Sequence, residues 1–311
     1  FNPIQSNALR DMYIRQTKTD ERDCFIIAEV IRFGRYSQGS MPPADIYALR
    51  EMCRARFFMV DMTSDLKRKV IALLDQVFPE YETLFTDIFG LTSSALLCTC
   101  PTPAEILAVD TEKLIELISV PSHKRFGRQK AEQIRSVAKK SFGVLLGNDA
   151  ISGLIKQYME HIRFSQQQIM ELDENIAALF SKFDTPITTV PGVGSVLGAA
   201  IFSEIGDISR FRSAAKLAAF AGIDPSVRRS GEFSGIRNHM SKRGSPYLRR
   251  ALWQASVIAA LHDPALKAFF QKKRAQGKSY MNVIGHVTRK MASIIFAVLR
   301  DCTPYYVPDL N

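Results

Sequence analysis

Thr188–Leu252, TTVPGVGSVLGAAIFSEIGDISRFRSAAKLAAFAGIDPSVRRSGEFSGIRNHMSKRGSPYLRRAL, is the segment around which the rest of the chain is organised. Val190–Ile201 reads as a tight glycine hairpin opening a small-residue helix. Phe211–Gly222 reads as a second, alanine-rich helix closed by Gly222. Asp224–Arg250 is a polar Gly/Ser-rich loop that runs into a third helix. Between Ser226 and Arg250 the bases Arg228, Arg229, Arg237, Lys242, Arg243, Arg249 and Arg250 face the single acid Glu232, a local formal charge of +6.

Pro191-Gly192-Val193-Gly194 fits a helix-hairpin-helix element. Two glycines let the backbone turn sharply and approach a partner closely. Amides at the start of the following helix then point outward at the positive end of its dipole, where a phosphate can sit. Such a contact grips the nucleic-acid backbone and reads no sequence. A plain helix-entry turn, with glycine for steric reasons, is the alternative. The basic loop downstream favours the phosphate reading. On that reading Gly192 and Gly194 join the seven bases as the nucleic-acid-binding set.

The wider composition agrees. Of 311 residues 46% are hydrophobic, enough for a core, and 23% are charged, so the chain is of the globular class and about two domains long. A net charge of +10 with a pI near 9.4 favours a polyanionic partner. No apolar run reaches the length of a membrane span. Five cysteines without a framework fit a reducing cytoplasm and no metal site.

The ordered series Pro191-Gly192-Val193-Gly194, Glu204-Ile205-Gly206-Asp207-Ile208 with Phe211, Ala221-Gly222-Ile223-Asp224-Pro225, Ser230-Gly231, Ser241-Lys242-Arg243-Gly244 and Leu248-Arg249-Arg250 resembles the carboxy-terminal domain of the DEDD insertion-sequence transposases. These are bacterial mobile-element recombinases described as guided by an element-encoded bridge RNA. The resemblance implies DNA as substrate, a guide RNA, a bacterial cytoplasmic location and strand exchange at a composite site between subunits.

The same family explains Lys18-Thr19-Asp20-Glu21-Arg22-Asp23, which leads into the apolar helical run Cys24–Phe33. By spacing alone, Asp20 and Asp23 lie on one helix face. They read either as an acidic first turn favoured by the dipole or as two ligands for a hard cation. Lys-Thr-Asp-x-x-Asp resembles the end of the RuvC-like (RNase-H-like) domain of these transposases, where the two aspartates close an acidic tetrad that holds Mg²⁺. Residues 1–17 offer only Asp11, so the other half of the tetrad is expected upstream, and a chain opening at Phe1 reads as amino-terminally truncated. As given, it is expected to bind nucleic acid without recombining it. It should also leave the apolar side of Cys24–Phe33, with Phe25, Ile26, Ile27 and Val30, uncovered.

Between these ends Asp45–Phe78 reads as a long basic helix and Glu82–Phe142 as shorter helices, Thr102 capping one that starts at Pro103. In Ile151–Phe183, Ile155, Ile162, Ile169, Ile176 and Phe183 fall every seventh residue, and Tyr158, Ser165, Leu172 and Leu179 follow the first four by three. That heptad seam needs a partner helix: Asp45–Phe78 in cis, antiparallel, or a second subunit, which would make the protein a homo-oligomer through a coiled coil. Trp253–Leu261, Asp263–Gln276 and Met281–Arg300 complete the helices.

Chemistry falls to Ser230. A serine hydroxyl needs help to lose its proton and a means of stabilising the group attacked. The neighbouring Arg228 and Arg229 supply cations for a phosphoryl centre, but sequence physics does not separate Ser230 from Ser226, Ser234, Ser241 or Ser245. The resemblance assigns the DNA-attacking serine to Ser230-Gly231, with Ser234-Gly235 as runner-up. The expectation is therefore a mainly α chain. It comprises the end of a RuvC-like α/β domain (residues 1–40), a helical and coiled-coil linker region (41–184) and a helical transposase domain with a helix-hairpin-helix element (185–311). Its catalytic residues are Ser230, Asp20 and Asp23, and the two aspartates hold Mg²⁺. A non-catalytic helix-hairpin-helix DNA-binding protein and a metal-dependent junction endonuclease are the alternatives.

Overall fold

The computed structural model describes residues 3–12, 19–34, 41–144, 146–226, 229–230, 233–234 and 239–307, of which 3–5, 229–230 and 233–234 are described as backbone. They are mainly α-helical, as expected. The chain divides into two compact units, residues 1–47 and 48–311.

In the first unit α1 (Pro3–Arg10) packs on α2 (Asp20–Phe33). Thr19 caps α2, its hydroxyl accepting from the Arg22 amide at 3.3 Å, and Gly34 closes the helix in the left-handed region. Phe25 and Ile27 are exposed, as the sequence suggests. Ile26 and Val30 are not: they are buried, Ile26 to 2% exposure. Residues at i and i+4 share a helix face, and this is the face that is covered.

The second unit is built on two long helices, α3 (Ala44–Val77), of which it holds the part from Ala48 on, and α8 (Asn148–Phe180). Arg56 of α3 grips Asp173 of α8 with two hydrogen bonds, at 2.5 and 3.1 Å. Leu49, Cys53 and Phe57 share one core with Ile176 and Phe180, whereas Val70, Leu74 and Val77 share another with Ile155, Met159 and Ile162. The helices therefore run antiparallel and thread both cores. The α8 residues in those cores include three of the five sevenfold positions, Ile155, Ile162 and Ile176. Between the cores the buried residues are small, Thr63 on α3 and Ser165 on α8.

The outer core is completed by α4 (Leu91–Thr99), α5 (Pro103–Ala108), α6 (Thr111–Ser119) and α7 (Arg128–Lys139). Thr102 caps α5 in a reciprocal box with Glu105 and Pro103 opens the helix, as its sequence predicts. Arg135 reaches from α7 to the carbonyls of Ile106, Leu107 and Val109, satisfying the end of α5.

The inner core gathers α9 (Ser195–Ile205), α10 (Ala214–Phe220), α11 (Pro246–His262), α12 (Pro264–Ala275) and α13 (Tyr280–Asp301). The helix expected over Phe211–Gly222 starts later, at Ala214. Asp207 first caps a 3-10 turn over Ile208–Arg210, and Phe211 is extended behind it. Residues 303–307 have no regular structure but are tied down. The Tyr305 amide donates to Thr189 Oγ1 at 2.8 Å and its hydroxyl to the buried Asp263 at 2.9 Å.

Candidate nucleic-acid interface

The segment that follows α10 is a laced loop. Its outgoing stem, residues 220–226, and its returning stem, residues 239–245, bond to each other along their length. Ser245 N donates to Phe220 O at 2.8 Å, Lys242 N to Gly222 O at 3.0 Å, Ser241 N to Asp224 O at 2.9 Å and Ser226 N to His239 O at 2.8 Å, and Pro225 bridges Met240. The Ser241 hydroxyl also binds the Asp224 carboxylate. Two glycines permit this closeness. A Cβ at Gly244 would lie 1.9 Å from Phe220 O, and one at Gly222, whose φ is +66°, would lie 2.7 Å from Arg249 Nη1. The short motifs Ala221–Pro225 and Ser241–Gly244 are thus two halves of one clasp.

From the clasp rises a hairpin in which β1 (Arg229–Ser230) pairs antiparallel with β2 (Phe233–Ser234). Ser230 stands opposite Phe233, and Arg229 opposite Ser234. The two candidate serines therefore lie on paired strands rather than in an open loop. Arg228, Gly231 and Arg237 lie outside the described residues, as do the side chains of Arg229, Ser230 and Ser234.

The other predicted contacts separate into two kinds. Lys242 and Arg243 are exposed on the clasp, and Lys242 holds a φ of +51°, in the region that side-chain-bearing residues rarely adopt. Arg249 instead turns inward to donate to Ala221 O at 3.1 Å. Arg250 forms a two-bond ion pair with Asp61 of α3, at 2.7 and 2.8 Å, and lies over the Phe57 ring at 4.6 Å. Both arginines hold α11 to its neighbours.

The glycine hairpin divides likewise. Gly192 has a φ of +84°, and a Cβ there would lie 2.3 Å from Ala255 O. It is a glycine because the turn presses onto the backbone of α11, a role that sequence spacing does not distinguish from approach to a phosphate. Gly194 is exposed and has nothing within 4 Å of its Cβ position. It precedes α9 as an N-cap, and having no side chain it leaves the first amides of α9 without a capping side chain of its own.

A network absent from the expected set joins these parts. Glu204, near the end of α9 and only 4% exposed, pairs with Arg54 of α3 at 2.6 Å and accepts from the Ser245 hydroxyl at 2.8 Å. Ser245 caps α11 through the Leu248 amide at 3.1 Å, and Arg54 lies over the Tyr247 ring at 4.8 Å. One carboxylate thus ties the clasp to α9 and α3. The motif Glu204–Ile208 contains it, but its basic partner is 150 positions away.

In the first unit Asp20 is exposed at the start of α2, while Asp23 is bound by Arg10, which also donates to Asn7 at 2.8 Å. Among the described residues no group of three or more His, Cys, Asp or Glu side chains comes together. Two carboxylates, one already neutralised by a guanidinium, do not enclose a Mg²⁺, which demands near-octahedral oxygen ligation.

Among the described residues no helix is long and apolar enough to cross a membrane. Two segments of the chain match known families. Residues 184–271 match the family described as Transposase IS116/IS110/IS902, and residues 1–79 match the DEDD transposase family of the IS110 type. The chain is 26% identical over 303 residues to the 43.6 kDa protein of insertion element IS110 from Streptomyces coelicolor, covering 96% of this chain and 74% of that protein. It is 25% identical over 305 residues to the 44.8 kDa protein of insertion element IS116 from Streptomyces clavuligerus, covering 95% and 74%. It is also 30% identical over 167 residues to a pilin gene-inverting protein of Moraxella bovis, covering 50% and 51%. The two matched segments together span more than half of the chain and enclose α9, the clasp and the serine hairpin, so the chain belongs to the IS110/IS116/IS902 family of insertion-element transposases.

Proposed function

We propose that the chain cuts and rejoins DNA through Ser230, presented by the clasped hairpin to a strand gripped by Lys242, Arg243, Arg228, Arg229, Arg237 and the open amides behind Gly194. The observation that carries this reading is the clasp. Four backbone hydrogen bonds and two close-packed glycines join the stems at the root of a two-stranded hairpin that bears a serine directly after two arginines. Preorganisation of that kind suits a nucleophile that must meet a phosphorus atom in line. The serine oxygen forms an ester bond to phosphorus, one strand P–O bond breaks, and the departing strand oxygen takes up a proton. The phosphodiester energy is kept in the protein–DNA bond for rejoining.

On the same reading Asp20 and Asp23 would supply two of the oxygens that hold a Mg²⁺. A guide RNA selects the sites in the bacterial cytoplasm, since protein contacts to the nucleic-acid backbone read no sequence. The paired α3 and α8 form a coiled coil that carries a second subunit. Supporting this last point, Phe58 and Met62, four residues apart on α3, are exposed large apolar side chains. The domain boundaries proposed are those of the sequence, 1–40, 41–184 and 185–311.

The test is covalent trapping on a DNA substrate carrying the element ends. Ser230→Ala abolishes protein–DNA adducts and leaves binding near normal, and Ser234→Ala is mild. Adducts that map to Ser234, or that persist in Ser230→Ala, overturn the assignment.

A further inference from the structure

The clasp roofs an open cavity of about 330 Å³ whose floor is α13. Its walls are apolar, made by Ile223, Pro225 and Met240 from the stems and Met281 from the helix. Four polar side chains break that lining: His239 on the returning stem, and Asn282, His286 and Arg289 on successive turns of α13. Among the described residues, the side chains of His239, Asn282 and Arg289 form no hydrogen bond or ion pair, so they are available to a ligand.

The floor is low at Gly285. Gly285 is the sixth residue of a 22-residue helix, inside it, where glycine costs about 1 kcal/mol relative to alanine. A Cβ there would lie 2.8 Å from the Met240 terminal methyl. The glycine lets the Met240 thioether lie against α13 and makes a flat, polarisable surface of the kind that favours aromatic rings. The mouth is cationic. Burial, then the charges of Lys278, Lys273 and Arg289, hold the His286 pKa below its usual value. A neutral imidazole offers one donor and one acceptor, and the Asn282 amide offers both kinds. At the small end of the range for ligand pockets, this volume suits one heterocycle. Flat apolar walls, an amide, a neutral imidazole and a guanidinium at the rim match a base in stacking, edge recognition and phosphate contact.

We propose that this cavity receives one unstacked base of the DNA strand that lies on the Ser230 hairpin, with Asn282 and His286 on the base edge and Arg289 on its phosphate. This rests on the reading of the hairpin as the strand-cutting element. It adds that a base is withdrawn from the stack beside the scissile bond, which would hold the strand in register against Ser230.

The test uses the full chain and a 30-nucleotide thymidine strand with one central 4-thiothymidine, irradiated and mapped by peptide mass spectrometry. Adducts are expected on the segments around Met240 and Met281. Asn282→Trp, which fills the mouth from an exposed position, should lower adduct yield about tenfold, the discrimination of one good base contact. Met281→Glu, also at an exposed position, should do the same, and thermal melting verifies that both variants fold. Arg289→Ala should weaken binding and flatten its salt dependence by roughly 0.7, the loss of one single-strand phosphate contact. Strong binding with adducts mapping elsewhere overturns the cavity proposal and leaves the hairpin reading standing. Adducts at the cavity with a uridine strand carrying 4-thiouridine, and none with the DNA strand, overturn it in favour of RNA. Failure to bind either strand overturns both readings.

Discussion

Glu204 is a single carboxylate that ties the clasp to α9 and α3. It is buried, and its two oxygens are taken by Arg54 and Ser245. Removing one member of a buried, hydrogen-bonded pair strands the other and typically costs ~3–5 kcal/mol. Arg54 is partly exposed, so water will solvate the orphan and the cost of Glu204→Ala should fall at or below the lower end. Chemical denaturation checks this. A change under ~1 kcal/mol would mean that the pair is ornamental. Tyr305 offers a pH-dependent case. Burial, then the neighbouring Asp263 carboxylate, raises its pKa to about 12. A raised folded-state value means that the tail contact contributes fully below the unfolded tyrosine pKa, roughly 10, and is lost as pH rises towards 12. Melting temperature should therefore fall more steeply over that window in the native chain than in Tyr305→Phe. Parallel curves for the two proteins would remove Tyr305 from the explanation.

At the scale of elements, the two glycines of the hairpin make opposite predictions. Gly192→Ala places a methyl 2.3 Å from a helix carbonyl and forces a positive φ, so it should destabilise by ~2 kcal/mol or more. Gly194→Ala meets open space and should leave the melting temperature nearly unchanged. Similar melting temperatures for the two variants would refute the packing role of Gly192. The contrast also measures what the sequence could tell. The sevenfold period of α8 is legible because it is local, and three of its five positions, Ile155, Ile162 and Ile176, lie in the cores. The Thr102–Pro103 start of α5 is legible too, because capping is settled within four residues. Gly192 and Gly194 look alike in sequence, because the groups that distinguish them lie some sixty residues on, in α11. Arg249 and Arg250 read as free bases for the same reason: Ala221 and Asp61, which engage them, are 28 and 189 positions away. α10 starts at Ala214 and not at Phe211, which has the apolar character of a helix face but is held extended by the preceding capped turn.

At the scale of the molecule, a net charge of +10 sets the expectation that affinity for nucleic acid falls steeply with salt. Which charges carry that slope is the sharper question. Formal charge counts all seven bases of Ser226–Arg250 alike, but the fold does not. Arg249 and Arg250 are committed to intramolecular partners, and a base already paired with Asp61 releases few counterions when DNA arrives. Lys242 and Arg243 stand exposed on a clasp held rigid by backbone bonds from residues 220–226, so they meet a phosphate with little further ordering. Replacing Lys242 and Arg243 together with alanine should reduce the slope of log affinity against log salt by about 1.8 for duplex DNA, near 0.9 per contact. Replacing Arg249 and Arg250 should change that slope by well under 1 while lowering the melting temperature, because α11 loses its ties to α3 and to the end of α10. The measurement is fluorescence anisotropy with an unrelated duplex across a salt series, alongside thermal melts. If the second pair moves the slope as much as the first, both arginines leave their internal partners on binding, and the interface extends across the ion pair to Asp61 on α3.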